Sequence, residues 1–91
     1  MTFEELFETI KSRKESSADS SYTASLFQKG ISKISQKVGE EGTEVVVAAL
    51  SQSNERLIEE ISDLTYHVMV LMAYKGLTLE DILNELESRK R

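Results

Sequence analysis

Five carboxylates in two short stretches are the side chains of this sequence best suited to chemistry. Glu40, Glu41 and Glu44 stand together in Lys37-Val38-Gly39-Glu40-Glu41-Gly42-Thr43-Glu44, just ahead of the apolar run Val45-Val46-Val47-Ala48-Ala49-Leu50. On a helix that turns about 100° per residue, the three acids fall within one sector about 100° wide. Like charges four residues apart destabilise a helix by roughly 0.2–0.5 kcal/mol per pair. A surface helix would relieve that by placing a lysine among them, and this sequence does not. Glu60 and Asp63 form a second acidic pair, three residues apart, in Glu59-Glu60-Ile61-Ser62-Asp63, and an apolar segment again follows. Two antiparallel helices would bring all five side chains to one place. Such a cluster is stable only when cations neutralise it, and clustered carboxylate oxygens suit a hard metal, Mg²⁺ or Mn²⁺. The alternative is a pair of solvated helix faces with no metal. Val45, Val46, Val47 and Leu64 weigh against it, because their burial would carry the acids toward the core. An uncompensated buried carboxylate there costs several kcal/mol.

Lys37 precedes Glu41 by one helical turn and Glu44 by two. It reads either as an ordinary i,i+4 ion pair, in the less favourable Lys-first order, or as a phosphate contact beside metal. Lys29 and Lys33 continue the four-residue spacing back from Lys37 and would extend a basic edge along the approach to the site; a solvated face explains them too. His67, the single histidine, follows Asp63 by four residues and shares the Glu60–Asp63–Val70–Tyr74 face. One histidine cannot build a histidine-based metal site, so hydrogen bonding beside the carboxylates is the expected role. Tyr66 reads as core or interface, and Met69 and Met72 as packing.

The elements that must position these groups are all helical. Thr2 with Glu5 forms a capping box, and Phe3, Leu6, Phe7 and Ile10 make a helical stripe behind it. The polar tract Ser16–Ser21 is a loop, and a short helix is expected over Thr23–Gln28, stopped by Gly30. A third helix runs from Ser32 to Ser51 with Ile34, Val38, Val45 and Ala49 as its core stripe. Gly39 and Gly42 within it each cost roughly 1 kcal/mol against alanine, either simply tolerated or offset by a close approach of backbone or ligand. Ser53 or Asn54 caps a fourth helix that reaches Lys75 and closes at Gly76. Its stripe is Leu57, Ile61, Leu64, Val68, Leu71 and Met72, and Ile58, Met69 and Val70 lie off it. A helix apolar nearly all round is more than so small a chain can cover, which implies a partner subunit. Thr78 with Asp81 caps a last helix carrying Leu79, Ile82, Leu83 and Leu86 and ending in Arg89-Lys90-Arg91.

Composition narrows the function classes. Ninety-one residues are expected to form one domain, residues 1–91, and the absence of proline with only four glycines favours an all-α fold. Eleven basic against sixteen acidic residues give a net charge of −5, which disfavours nucleic acid as a partner. No apolar run approaches the roughly 18 residues of a membrane span, and Met1-Thr2-Phe3-Glu4-Glu5 lacks the basic start of a signal peptide. The chain has no cysteine, hence no disulfide or thiolate zinc site, which fits a reducing compartment. The expected location is the cytoplasm.

Taken together, Ser21-Tyr22-Thr23-Ala24-Ser25-Leu26, Gly30, Lys33, Lys37-Val38-Gly39-Glu40-Glu41, Glu44 and Glu59-Glu60-Ile61-Ser62-Asp63-Leu64-Thr65-Tyr66-His67 resemble the phosphoribosyl-ATP pyrophosphatases of histidine biosynthesis. Their wider relatives are the all-α, MazG-like nucleotide pyrophosphatases, marked by E-E-x-x-E and E-x-x-D, here Glu40-Glu41-x-x-Glu44 and Glu60-x-x-Asp63. Gly42, where the family often has alanine, and Ser20, where a glycine is usual, depart from the pattern without touching a carboxylate. The resemblance implies an all-α, four-helix-bundle-like fold completed by homodimerisation. It implies Mg²⁺-dependent hydrolysis of phosphoribosyl-ATP, a small-molecule nucleotide, to phosphoribosyl-AMP and pyrophosphate. It points to Glu41, Glu44, Glu60 and Asp63 as ligands and to Lys37, with Lys33 and Lys29, as phosphate contacts. Glu40 would either orient the attacking water or ligate a further metal. A house-cleaning nucleotide pyrophosphatase with the same metal site and a non-catalytic helical dimerisation module are the competing readings.

Overall fold

The computed structural model describes residues 1–90; Arg91, the last of the expected cations at the chain's end, lies outside the described residues. Four of the five α-helices begin where a short polar side chain accepts from a first-turn amide; the third begins at a glycine. Thr2 and Glu5 exchange the two hydrogen bonds of a capping box at 3.0 and 2.8 Å, starting α1 (Phe3–Ser12). After a 3₁₀ turn at Ala18–Ser20, the Ser21 hydroxyl accepts from the Ala24 amide and starts α2 (Tyr22–Lys29). Gly30, at a φ of 90°, turns the chain directly into α3 (Ile31–Ser51). A left-handed φ of this kind favours glycine, because any side chain would be strained there. The Ser53 hydroxyl accepts from the Arg56 amide and starts α4 (Asn54–Lys75). Gly76, at a φ of 74°, ends it with paired bonds from Gly76 and Leu77 back to Ala73 and Met72. A second capping box, Thr78 with Asp81, starts α5 (Leu79–Ser88). Among the described residues there is no strand, so the fold is all-α, and no helix is long and apolar enough to cross a membrane.

Across the two-residue turn Gln52–Ser53, α3 and α4 fold back along each other and form the main packing unit, with α1 and α2 laid against it. Phe7, Ile10, Leu26, Phe27, Ile34, Met69, Val70, Met72 and Ala73 make up the core. Lys14, beyond the end of α1, donates to the Ala73 carbonyl at 3.0 Å, placing a cation at the negative end of α4.

The faces expected to be buried are only partly so. On α3, Ile34 is buried, but Val38 and Val45 are half-buried, Ala49 is exposed, and Ala48 and Glu41 take the interior positions. On α4 the interior face carries Glu60, His67, Met69, Val70, Met72 and Ala73; of the expected stripe Met72 alone is buried, and Leu57, Ile61, Leu64, Val68 and Leu71 stay half-buried or open. The reason is geometric: α4 has apolar residues nearly all round, and one chain covers only one side of it. The uncovered side borders an apolar cleft of roughly 430 Å³ between α4 and α5, lined by Leu64, Val68, Met72, Leu79, Ile82 and Leu83 among others. Gly39 and Gly42 have open space where a Cβ would stand, so no close approach explains them within one chain.

Candidate metal and phosphate site

The facing surfaces of α3 and α4 hold the acids. Glu41, Glu60 and Asp63 each offer a carboxylate oxygen, and these oxygens lie within 4.8 Å of one another. Glu41 and Glu60 are each only 6% exposed, although both are ionisable. The two sit in matching surroundings. One oxygen of Glu41 is 3.3 Å from the Lys37 ammonium, and one oxygen of Glu60 is 2.7 Å from the Arg56 guanidinium. In both cases the cation stands four residues earlier on the same helix, one turn away. The second oxygen of each, Glu41 Oε2 and Glu60 Oε2, is buried with no hydrogen-bond partner.

A buried carboxylate oxygen without a donor costs free energy, and native structures rarely leave one so. Two such oxygens on opposing helices, with Asp63 beside them, form a donor set of hard oxygens open to a cation. The residues present therefore fit a divalent metal of the Mg²⁺ type. The fit rests on the unpartnered oxygens and not merely on a count of acids.

The other sequence-predicted residues surround this trio. Glu44 is exposed and lines a polar pocket toward the α3–α4 turn with Val47, Gln52, Arg56 and Glu60. It borders the cluster without joining the three converging carboxylates. Glu40, one helical turn before Glu44, is exposed too. Gln36 donates to its Oε2 at 2.9 Å and Lys37 lies 3.5 Å from its Oε1. The Gln36 hydrogen bond, opposed by desolvation and aided by Lys37 and Lys33, holds the Glu40 carboxyl below the usual carboxylate range. Lys37 bridges Glu40 and Glu41. Burial works against its charge, but the Glu41 hydrogen bond, Tyr22 and Glu40 outweigh that and raise its pKa. Lys33 is half-buried on α3, close enough to Glu40 to lower its pKa. Lys29 lies exposed in the last turn of α2, the ordinary place for a cation at a helix end.

Arg56 escaped the sequence reading. Its signal was present as the spacing Arg56-x-x-x-Glu60, the same as Lys37-x-x-x-Glu41. In the fold, Lys37 and Arg56 bracket the acids from opposite ends of the hairpin, the guanidinium on the side of the turn. Arg56 also pairs with Glu59.

His67 is 6% exposed and sits behind the acids. Its Nδ1 lies 2.7 Å from the Asp63 backbone carbonyl and its Nε2 lies 2.7 Å from the Tyr22 hydroxyl. Next to this link, Thr23 and Tyr66 share a short hydroxyl–hydroxyl bond. Two successive residues of α2 are thus tied to two successive residues of α4. This is the hydrogen-bonding role expected of the histidine, and Tyr66 contributes to the same tie.

Residues 3–90 match the family described as phosphoribosyl-ATP pyrophosphohydrolase. A Listeria innocua protein named phosphoribosyl-ATP pyrophosphatase is 57% identical over 86 residues, 94% of this chain and 82% of that protein. Its namesake in Clostridium botulinum strain Hall is 53% identical over 85 residues, 93% of this chain and 77% of the relative. The histidine biosynthesis bifunctional protein HisIE of Caldanaerobacter subterraneus is 55% identical over 84 residues, and there the match spans 92% of this chain but 41% of the relative.

Proposed function

The chain belongs to the phosphoribosyl-ATP pyrophosphohydrolase family, and we propose that it hydrolyses phosphoribosyl-ATP to phosphoribosyl-AMP and pyrophosphate, the second step of histidine biosynthesis. Residues 1–91 act as one catalytic unit, in the cytoplasm, with Mg²⁺ as the cofactor and Mn²⁺ as a possible substitute. The observation that carries the reading is the pair of buried, unpartnered oxygens, Glu41 Oε2 and Glu60 Oε2, on facing helices beside Asp63.

Glu41, Glu60 and Asp63 would hold the cation, with Glu44 closing the coordination from the rim. A divalent cation there supplies charge neutralisation on the polyphosphate and acidifies the attacking water. The chain's own residues do the rest. Lys37, whose charge is reinforced by its two glutamates, meets phosphate oxygens at one end of the acids. Arg56 presents its half-exposed guanidinium at the other end, where the planar fork suits a phosphate. Lys33 and Lys29 extend the positive edge along α3 and α2 and draw the polyanion in. Glu40, kept ionised by Gln36 and Lys37, accepts a hydrogen bond from the water and so orients it.

A second subunit completes the assembly. The open stripe on α4, the exposed Val46, Val47 and Leu50 of α3, and the leucine face of α5 together form more apolar surface than a lone chain keeps in water. A homodimer sharing core between subunits covers it.

The decisive experiment is an assay of purified protein against phosphoribosyl-ATP and a panel of nucleoside and deoxynucleoside triphosphates, with Mg²⁺ or with chelator. Metal-dependent release of pyrophosphate from phosphoribosyl-ATP is expected. A large preference in kcat/KM for a free deoxynucleotide would instead make the protein a house-cleaning pyrophosphatase. No hydrolysis of any triphosphate would leave a helical dimerisation module.

A further inference from the structure

The tie between α2 and α4 defines what one exposed side chain can recognise. The Asp63 backbone carbonyl can only accept a hydrogen bond, so the Nδ1 of His67, 2.7 Å away, carries a proton. In the neutral imidazole the Nε2 is then an acceptor, and the Tyr22 hydroxyl, also 2.7 Å away, must donate to it. Tyr22 has one hydroxyl proton, and it is spoken for. What remains on its oxygen is lone pairs, which accept.

The arrangement is rigid on three counts. His67 is held edge-on between the rings of Tyr22 and Tyr66, with centroids 5.7 and 5.9 Å apart. Thr23, the neighbour of Tyr22, is buried and bonded to Tyr66. Ser21 caps the helix at its start. Despite this anchoring, Tyr22 is 53% exposed. Its oxygen is near enough to Lys37, Glu41 and Asp63 to feel their charges, although burial has the largest effect on the hydroxyl and pushes its pKa up. An anchored acceptor, on a residue that is itself half exposed, thus stands beside Lys37, Glu41 and Asp63.

A phosphate oxygen is itself an acceptor and gains nothing from such a group. The donors that a nucleotide offers are the hydroxyls of its riboses and the N–H groups of its base. We propose that Tyr22 is a specificity-determining substrate contact, its oxygen accepting a hydrogen bond from an O–H or N–H of the nucleoside portion, and that His67 is the positioning residue that makes Tyr22 an acceptor. The proposal rests on the carboxylate cluster being the reaction centre. It assigns the two ends of the substrate to different residues: polyphosphate to the cations and acids, nucleoside to α2.

The test compares Tyr22→Phe, His67→Gln and the double variant with the wild type. The KM for phosphoribosyl-ATP and the Ki of inorganic tripolyphosphate as competitor are measured for each. Tripolyphosphate reproduces the triphosphate of the substrate and carries none of its nucleoside donors. Tyr22→Phe should raise KM about five- to tenfold, the range for one lost hydrogen bond. It should leave the Ki and the Mn²⁺ dissociation constant unchanged, while the melting temperature falls modestly because His67 Nε2 loses its partner. His67→Gln should raise KM in the same direction, and the double variant should be no worse than the more impaired single variant, because both act through one contact. A Ki that rises with KM would overturn the proposal by placing Tyr22 on the phosphate side. A fall in kcat at constant KM would overturn it by giving Tyr22 to the attacking water, and an unchanged KM would overturn it outright. If the wild type turns over another nucleotide instead, the assigned substrate is wrong, yet the same comparison on that nucleotide still decides the role of Tyr22. A protein inert toward every nucleotide overturns both.

Discussion

The two long faces of α4 invert the usual order of burial. The inner face hides Glu60 and His67, each 6% exposed, while on the outer side Ile58 and Ile61 remain 65% and 46% exposed. Charged groups normally stay in water and large apolar ones leave it, so each face signals something a single chain does not supply. The inner face lacks positive charge: Lys37 and Arg56 each neutralise one oxygen, and Glu41 Oε2 and Glu60 Oε2 have no partner. The outer face lacks an apolar cover. One helix therefore carries two unmet demands of opposite chemistry, for positive charge within and for an apolar cover without.

Breaking the outer face should have the largest effect. Ile61→Lys places an ammonium where a partner subunit would bury it, and an uncompensated buried charge costs about 3–5 kcal/mol. Sedimentation should show the variant dissociating at concentrations where the parent is dimeric. On a true surface the same change would stay within about 0.5 kcal/mol.

On the inner face, Glu60→Gln removes one of the two buried charges. Activity should fall by about 100-fold or more, since even residues that only support metal ligands are worth about 10–100-fold. Melting without metal should rise in the same variant, because a buried charge is gone. Glu44→Gln sharpens this ranking: Glu44 stands on the exposed rim, so its loss of activity should be the smaller of the two.

Mg²⁺ should stabilise the parent by about 2.7 kcal/mol at a hundred times its Kd, read as a shift in Tm. Glu60→Gln should lose most of that shift while Ile61→Lys, compared at matched oligomeric state, keeps it. Equal shifts in both variants would dissolve the distinction between the faces.

Arg56→Met should have the smallest effect. It leaves the Glu60 oxygen that the guanidinium now holds without its cation, which would cost up to about 3 kcal/mol for a fully sequestered pair. Arg56 is half exposed, so water screens the interaction and about 1 kcal/mol is expected in metal-free melts. Saturating Mg²⁺ should shrink that difference, because the cation takes over the same neutralisation.

Helix positions were legible because they depend on neighbours in sequence. Thr2 with Glu5, Thr78 with Asp81, the Ser53 cap and the glycine stops at Gly30 and Gly76 are contacts within a few residues, and all appear in the structure. The acid pattern was legible for the same reason, since i,i+3 and i,i+4 spacing fixes a helical face. Which acids meet was not legible. Glu41, Glu60 and Asp63 converge while Glu44 stays on the rim, and that follows from the rotation of α3 against α4, which packing sets and local spacing does not. The same rotation hides Ala48 rather than Ala49 and the Glu60–His67 face rather than the Leu57–Ile61 stripe. Arg56 and Tyr22 belong to this second class as well. What distinguishes Arg56 is the burial of Glu60, which its own spacing does not show, and Tyr22 sits 45 residues from the histidine that fixes its hydrogen bond. By itself the sequence determined that the chain is helical, where its capped helices begin and which glycines end them, and that its acids are grouped, because these rest on backbone capping and helical periodicity. Only the tertiary structure decided which carboxylates lose water, which oxygens lack a partner and which hydroxyl becomes an acceptor, because burial and hydrogen-bond direction arise between helices far apart in the chain.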